Sequence, residues 1–138
     1  MANTQSMCTS FMGELMTATH NFGTAPIRAA TTAYSSTNEV TGTGYTAGGV
    51  TVTNATAPIA TNSSATAGVA YWTPSASITY TTVTLTTAFD CVLIYNSSQS
   101  NKAVSVHTFG SQTITAGTFT LTMPSNTTST ALLRLSTT

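Results

Sequence analysis

From Val40 onward, apolar and polar residues alternate with a period of two, interrupted by short polar turns. Successive side chains on a strand point to opposite faces, so this pattern requires strands with one buried and one wetted side. Val50 and Val52 alternate with Thr51 and Thr53, and Phe119, Leu121 and Met123 alternate with Thr118, Thr120 and Thr122. Over 78–87 the apolar positions switch from even (Ile78, Tyr80) to odd (Val83, Leu85), which predicts either a bulge or a turn at Thr81 and Thr82, the bulge being favoured. Phe89, Cys91, Leu93 and Tyr95 then occupy one face and Val92 and Ile94 the other. A strand apolar on both sides belongs in the middle of a sheet, with Asp90 as an exception inside it. The polar stretch 96–101 predicts a hairpin turn into a strand over 102–109 that Gly110 closes, and further strands follow around Phe119 and over 132–135.

Strands this short and closely spaced, about seven of them, predict an all-β fold in one domain over 1–138. Its core is a β-sandwich over 40–135, immunoglobulin-like or jelly-roll-like. One short N-terminal helix is expected over 5–18. There Cys8, Phe11, Met12, Leu15 and Met16 recur at three- and four-residue steps, Thr4 or Ser6 can cap the start, and Gly23 follows the end. The stretch 55–67 has no periodicity and reads as a surface loop, and 136–138 as a tail.

Composition narrows the classes of function. Thr and Ser make up 50 of the 138 residues, against three acids and three bases, a charged fraction of 4 % where an ordinary soluble domain has about 25 %. Zero net charge leaves no basic footprint for nucleic acid and no repulsion between copies, which favours assembly. An apolar content of 41 % and a mean hydropathy of +0.15 argue against disorder. The longest apolar run, around Cys91 to Tyr95, falls far short of the ~20 residues that span a bilayer, so no membrane role is expected. The opening Met1-Ala2-Asn3-Thr4-Gln5 lacks the pattern of a secretion signal, so cytosolic synthesis is expected.

The stock of reactive groups is thin: His20, His107, Glu14, Glu39, Asp90 and the thiols of Cys8 and Cys91. A Ser-His-Asp set could be built on Asp90 and His107, but no nucleophile elbow accompanies it, and Cys91 with His107 supplies too few ligands for a metal. The glycine-rich stretch 41–49 runs into a strand at Val50, whereas phosphate loops run into a helix start. Trp72, Tyr71 and Tyr80 could form a sugar platform, yet they sit at strand positions where packing is the commoner use. The Thr-x-Thr pairs recur at irregular intervals, unlike the constant coil of an ice-binding array. Four Asn-x-Ser/Thr triplets are no surprise at this Ser/Thr content. The expectation is a chain that is not an enzyme, with no catalytic, cofactor-binding or metal residue.

Two stretches are distinctive. Phe11-Met12-Gly13-Glu14-Leu15-Met16 is followed by His20-Asn21-Phe22, and Tyr34 leads through Asn38-Glu39-Val40-Thr41-Gly42-Thr43-Gly44-Tyr45-Thr46-Ala47-Gly48-Gly49. With the strands around Cys91–Asn96, Ala103–Val106 and Gly117–Thr120, they make nearly the whole chain resemble a family of small virion structural proteins of tailed bacteriophages and prophages. The segment 38–49 is the specific part. The chain departs from that pattern between Gly23 and Ala30, where only 24–29 intervene and a strand-like segment is missing.

The resemblance implies a non-enzymatic virion protein, foremost a capsid decoration or cement protein stabilising the head shell. The alternative is a neck, tail or fibre-associated structural or adhesin component. Its partners would be the major capsid protein or other virion proteins and further copies of itself, and it would reside in the virion after assembly in the host cytoplasm. No cofactor, nucleic acid or membrane is expected. The candidate assembly contacts are Phe11, Met12, Leu15 and Met16 on the Met-rich helix, together with Tyr45.

Overall fold

The computed structural model describes residues 4–7, 15, 27–30, 39–53, 57–62 and 67–136, with backbone alone for 4–7 and 27–30. The strands are β1 (Thr4–Met7), β2 (Ile27–Ala30), β3 (Val50–Val52), β4 (Ile59–Ala60), β5 (Val69–Trp72), β6 (Ile78–Asn96), β7 (Lys102–Leu121) and β8 (Leu133–Ser136). They form one five-stranded sheet, in the order β1-β7-β6-β2-β3, and one three-stranded sheet, β4-β5-β8. Every pairing is antiparallel. The fold is all-β, as the period of two requires.

The β6–β7 hairpin dominates, about 60 Å long at the usual rise per residue. Its turn is the polar stretch expected at 96–101. The wholly buried Asn96 accepts hydrogen bonds from the Ser98 N–H (3.1 Å) and hydroxyl (2.8 Å), and Ser100 and Asn101 take positive φ. The expected stop at Gly110 is absent: β7 runs through Gly110 and Gly117 to Leu121, because β6 offers pairing partners along its whole length.

A 19-residue strand keeps one face on a core only if its alternation is re-phased. The bulge expected at Thr81 and Thr82 is present: the register shifts between Tyr80 and Val83, and Thr82 has φ 54°. A further shift between Phe89 and Cys91 moves the core positions from Val83, Leu85 and Phe89 to Val92 and Ile94. Asp90 sits in that second irregularity and stays exposed. Residues 91–96 are buried throughout, as expected for a central strand, with Leu93 and Tyr95 forming a smaller cluster on the opposite face.

The main core draws on both sheets, joining Trp72 and Leu133 to Ile78, Val83, Leu85 and Val104. Burying side chains of this size contributes about 1.5–3 kcal/mol each.

Three expectations need correction. Residues 5–7 of the expected 5–18 helix belong to β1, because the edge of β7 from Ser105 to Thr108 presents backbone groups that a strand satisfies and a helix cannot. From the rest of that segment Leu15 alone is described, helical as expected and half-buried against the core; 8–14 and 16–18 lie outside the described residues. The 55–67 loop is exposed where described, but Ile59–Ala60 pairs with β5. Ser136 is no tail residue, since it pairs with Val69.

Candidate interaction surface

The distinctive segment 38–49 is described from Glu39 on, and its chemistry is turned inward. The Glu39 carboxylate accepts hydrogen bonds from the Tyr45 hydroxyl (2.6 Å) and the Gly48 N–H (2.7 Å), while Tyr95 donates its hydroxyl to the Gly48 carbonyl (2.7 Å). Tyr45 also stacks on the buried Tyr80 with ring centroids 5.8 Å apart. Burial, with Tyr45 and Glu39 beside it, pushes the Tyr80 phenol well above the ordinary tyrosine range. Thr43 pairs with Thr84 as an isolated bridge, laying the loop along the outer edge of β6, and the Thr84 N–H donates to the Thr43 carbonyl (2.9 Å). The loop is thus a tie within the fold.

The candidate assembly contacts divide. Leu15 and Tyr45 are brought against the same core, where both spend apolar surface on the chain itself, and Phe11, Met12 and Met16 lie outside the described residues. The sugar-platform aromatics are not brought together either: Trp72 and Tyr80 are each 2 % exposed inside the core, and Tyr71 faces the other way on β5.

His107 is buried, within 3.0 Å of the Ser105 hydroxyl on the same face of β7. Burial alone lowers its pKa to about 4; no carboxylate acts on it. Asp90 instead bears on the neighbouring Cys91 thiol, which burial pushes up to about 11 with the Asp90 charge and hydrogen bond adding to it. A Ser-His-Asp set is therefore not assembled from these residues. Among the described residues no three His, Cys, Asp or Glu side chains converge as metal ligands. The groove of about 270 Å³ between 73–77 and 123–126 is lined by no titratable side chain.

His107 sets a pH dependence. In the unfolded chain it titrates near 6.5 and in the folded chain near 4, so between those values only the unfolded chain takes up the proton. Stability is full above about pH 6.5 and falls as the pH drops towards about 4. His107→Gln keeps a polar partner for Ser105 and should remove most of that fall, measured by urea unfolding at about pH 7 and about pH 4.5. With only three acidic residues in the chain, few other groups compete for the slope; an unchanged slope in the variant refutes the assignment.

The most conspicuous outward feature is one that local sequence patterns do not reveal. Beyond Thr108, which faces Thr4 of β1, the described part of the five-stranded sheet narrows to the β6–β7 ribbon. The outer edge of β6 carries the 42–44 loop, whereas among the described residues no strand lies beside β7 from Phe109 to Leu121. Along this edge the core-facing Phe109, Ile114 and Phe119 are only half-buried, and the opposite face is covered by exposed Thr and Ser. No charged residue occurs between Lys102 and Arg134. That gap is the one sequence signal that could have marked the edge, because natural sheets usually protect open edges with charge or proline.

Comparison with protein-family models, with curated proteins and with solved structures found no match to the chain. What the fold defines is the class: an all-β protein of two antiparallel sheets around a common core. No helix among the described residues is long and apolar enough to cross a membrane.

Proposed function

We propose that this chain is a non-enzymatic structural protein of a tailed-bacteriophage virion, a decoration or cement protein that stabilises the head shell by binding the major capsid protein. The observation that carries this reading is the long β6–β7 ribbon, which carries only Asp90 and Lys102 as charges, has no strand beside β7 beyond Thr108 among the described residues, and presents a threonine-covered face, a surface suited to broad, repeated contact. On a shell, many such weak contacts add up through effective concentration, with no charged hot spot needed. In this reading the two sheets are the layers of a β-sandwich, the protein works as a homo-oligomer in the virion, and it needs no cofactor, nucleic acid or membrane.

The test is the copy number of the chain relative to the major shell protein in purified particles, by quantitative mass spectrometry. A ratio near one per shell subunit supports decoration. A handful of copies per particle moves the protein to the neck, tail or fibres, and its absence from particles ends the virion reading.

A further inference from the structure

We propose that the outer face of the three-stranded sheet is a docking surface, centred on Arg134, for a carboxylate-bearing stretch of the shell protein. The inference rests on the virion reading above and names the face and the chemistry through which the chain is anchored.

The strand register builds the face. Ile59, Tyr71 and Arg134 stand opposite one another across β4, β5 and β8, and Val69 and Ser136 form the next row on the same side. The intervening Trp72 and Leu133 enter the core, so the row of Arg134 points away from it. Ile59 is 39 % exposed, one of two large apolar side chains so open among the described residues. Arg134 is exposed, and Tyr71 and Val69 are half-buried.

Arg134 selects the partner. It is one of three cationic residues in the chain, and the fold barely engages it. Its one side-chain hydrogen bond, from Nη1 to the Thr128 carbonyl, is 3.4 Å long, beyond the usual range for an N–H donor. The described carboxylates are occupied elsewhere: Glu39 holds Tyr45 and Gly48, and Asp90 bears on Cys91. Most of the five guanidinium N–H groups therefore have no acceptor among the described residues, and their planar fork fits a carboxylate with two parallel bonds. Nucleic acid would need several cations to hold its phosphates, and this face carries one. An open sheet face does not enclose a small acid either. It suits another protein surface, with Ile59 and Tyr71 supplying apolar contact beside the charge; Tyr and Arg are the residue types that dominate protein interfaces. Three strands about 4.8 Å apart make the row only about 10 Å wide, so one contact is weak and repetition over a shell makes it hold.

The experiment measures binding of the purified chain to phage particles assembled without it, for the wild type, Arg134→Gln, Arg134→Lys and Gln99→Glu. Gln99 is exposed in the β6–β7 turn, and its substitution changes the net charge as much as Arg134→Gln does. Arg134→Gln is expected to bind at least about tenfold more weakly than the wild type, with Gln99→Glu unchanged. Arg134→Lys falls between, because a point charge keeps the attraction and loses the fork. A carbodiimide then couples the lysine of Arg134→Lys to an Asp or Glu of the shell protein, located by mass spectrometry.

Arg134→Gln binding as tightly as the wild type overturns the proposal, and so does an equal loss in Gln99→Glu. Should Arg134→Gln misfold, the cross-link decides: its absence from the shell protein refutes the docking. Failure here is distinct from failure of the functional reading. A chain that binds particles whatever stands at position 134 loses only this face, whereas a wild type that binds none loses the virion role and the docking with it.

Discussion

Gly42→Ala lowers the free energy of unfolding by about 2–4 kcal/mol, combining overpacking with the loss of one backbone hydrogen bond. A Cβ at position 42 would be driven into the Thr84 carbonyl oxygen, a backbone atom of strand β6, with Leu85 Cδ2 3.0 Å away. The only relief is for the loop to lift off β6, which breaks the 2.9 Å bond between the Thr84 N–H and the Thr43 carbonyl. Gly44→Ala costs more still. Its Cβ would meet the Thr82 carbonyl, and its φ of 78° adds about 1–2 kcal/mol for any residue with a Cβ. Gly68→Ala is the control: there the new Cβ meets the side chains of Asn62 (2.8 Å) and Thr61 (2.9 Å), which can move aside. Denaturant unfolding of the three variants checks the order, and a shift in Tm of roughly 10 °C is expected for Gly42→Ala. If Gly42→Ala proves no more harmful than Gly68→Ala, the loop is not stitched to β6 by close approach.

These glycines show where sequence reading stops. Their spacing reads as turn-forming, and the loop does turn, but their reason for lacking a side chain lies in strand β6, some 40 residues away. The period of two is readable because one face of β3 and of the first half of β6 is buried, and the bulge at Thr82 is readable because the apolar positions change parity there. The second re-phasing, between Phe89 and Val92, is marked only by Asp90. From Cys91 on both faces are apolar, so the alternation there carries no phase to compare with what precedes it.

The start of the N-terminal segment departs for another reason. Its apolar spacing fits a helix, and Leu15 is helical, yet Thr4–Met7 pairs with an edge of β7 far along the chain. Tyr45 is a candidate assembly contact in the sequence. Its hydroxyl and ring are instead taken up by Glu39 and Tyr80. The stretch of β7 that has no neighbouring strand among the described residues is a property of topology, and apart from the charge-free run after Lys102 no local run of residues encodes it.

Trp72→Ala is expected to cost about 3–5 kcal/mol, a large share of the 5–15 kcal/mol by which small domains are stable. Trp72 is 2 % exposed, stands opposite Leu133 on β8, and is the largest side chain by which the three-stranded sheet enters the core built on β6 and β7. Removing it leaves a cavity in the common core that its neighbours can close only in part. Tyr71→Ala gives the internal comparison. Tyr71 lies next in the chain but on the other face of β5, in a row with the exposed Ile59 and Arg134, and its loss should cost about 1 kcal/mol.

The chain's single tryptophan also reports directly. In the wild type its emission should be blue-shifted and unaffected by added saccharides, since the ring is closed off from solvent. Quenching by a sugar would mean that the ring is reachable and would restore the platform reading. Equal losses for Trp72→Ala and Tyr71→Ala would mean that the three-stranded sheet contributes little to the common core, and the two-layer architecture proposed for the assembly subunit would fall with it.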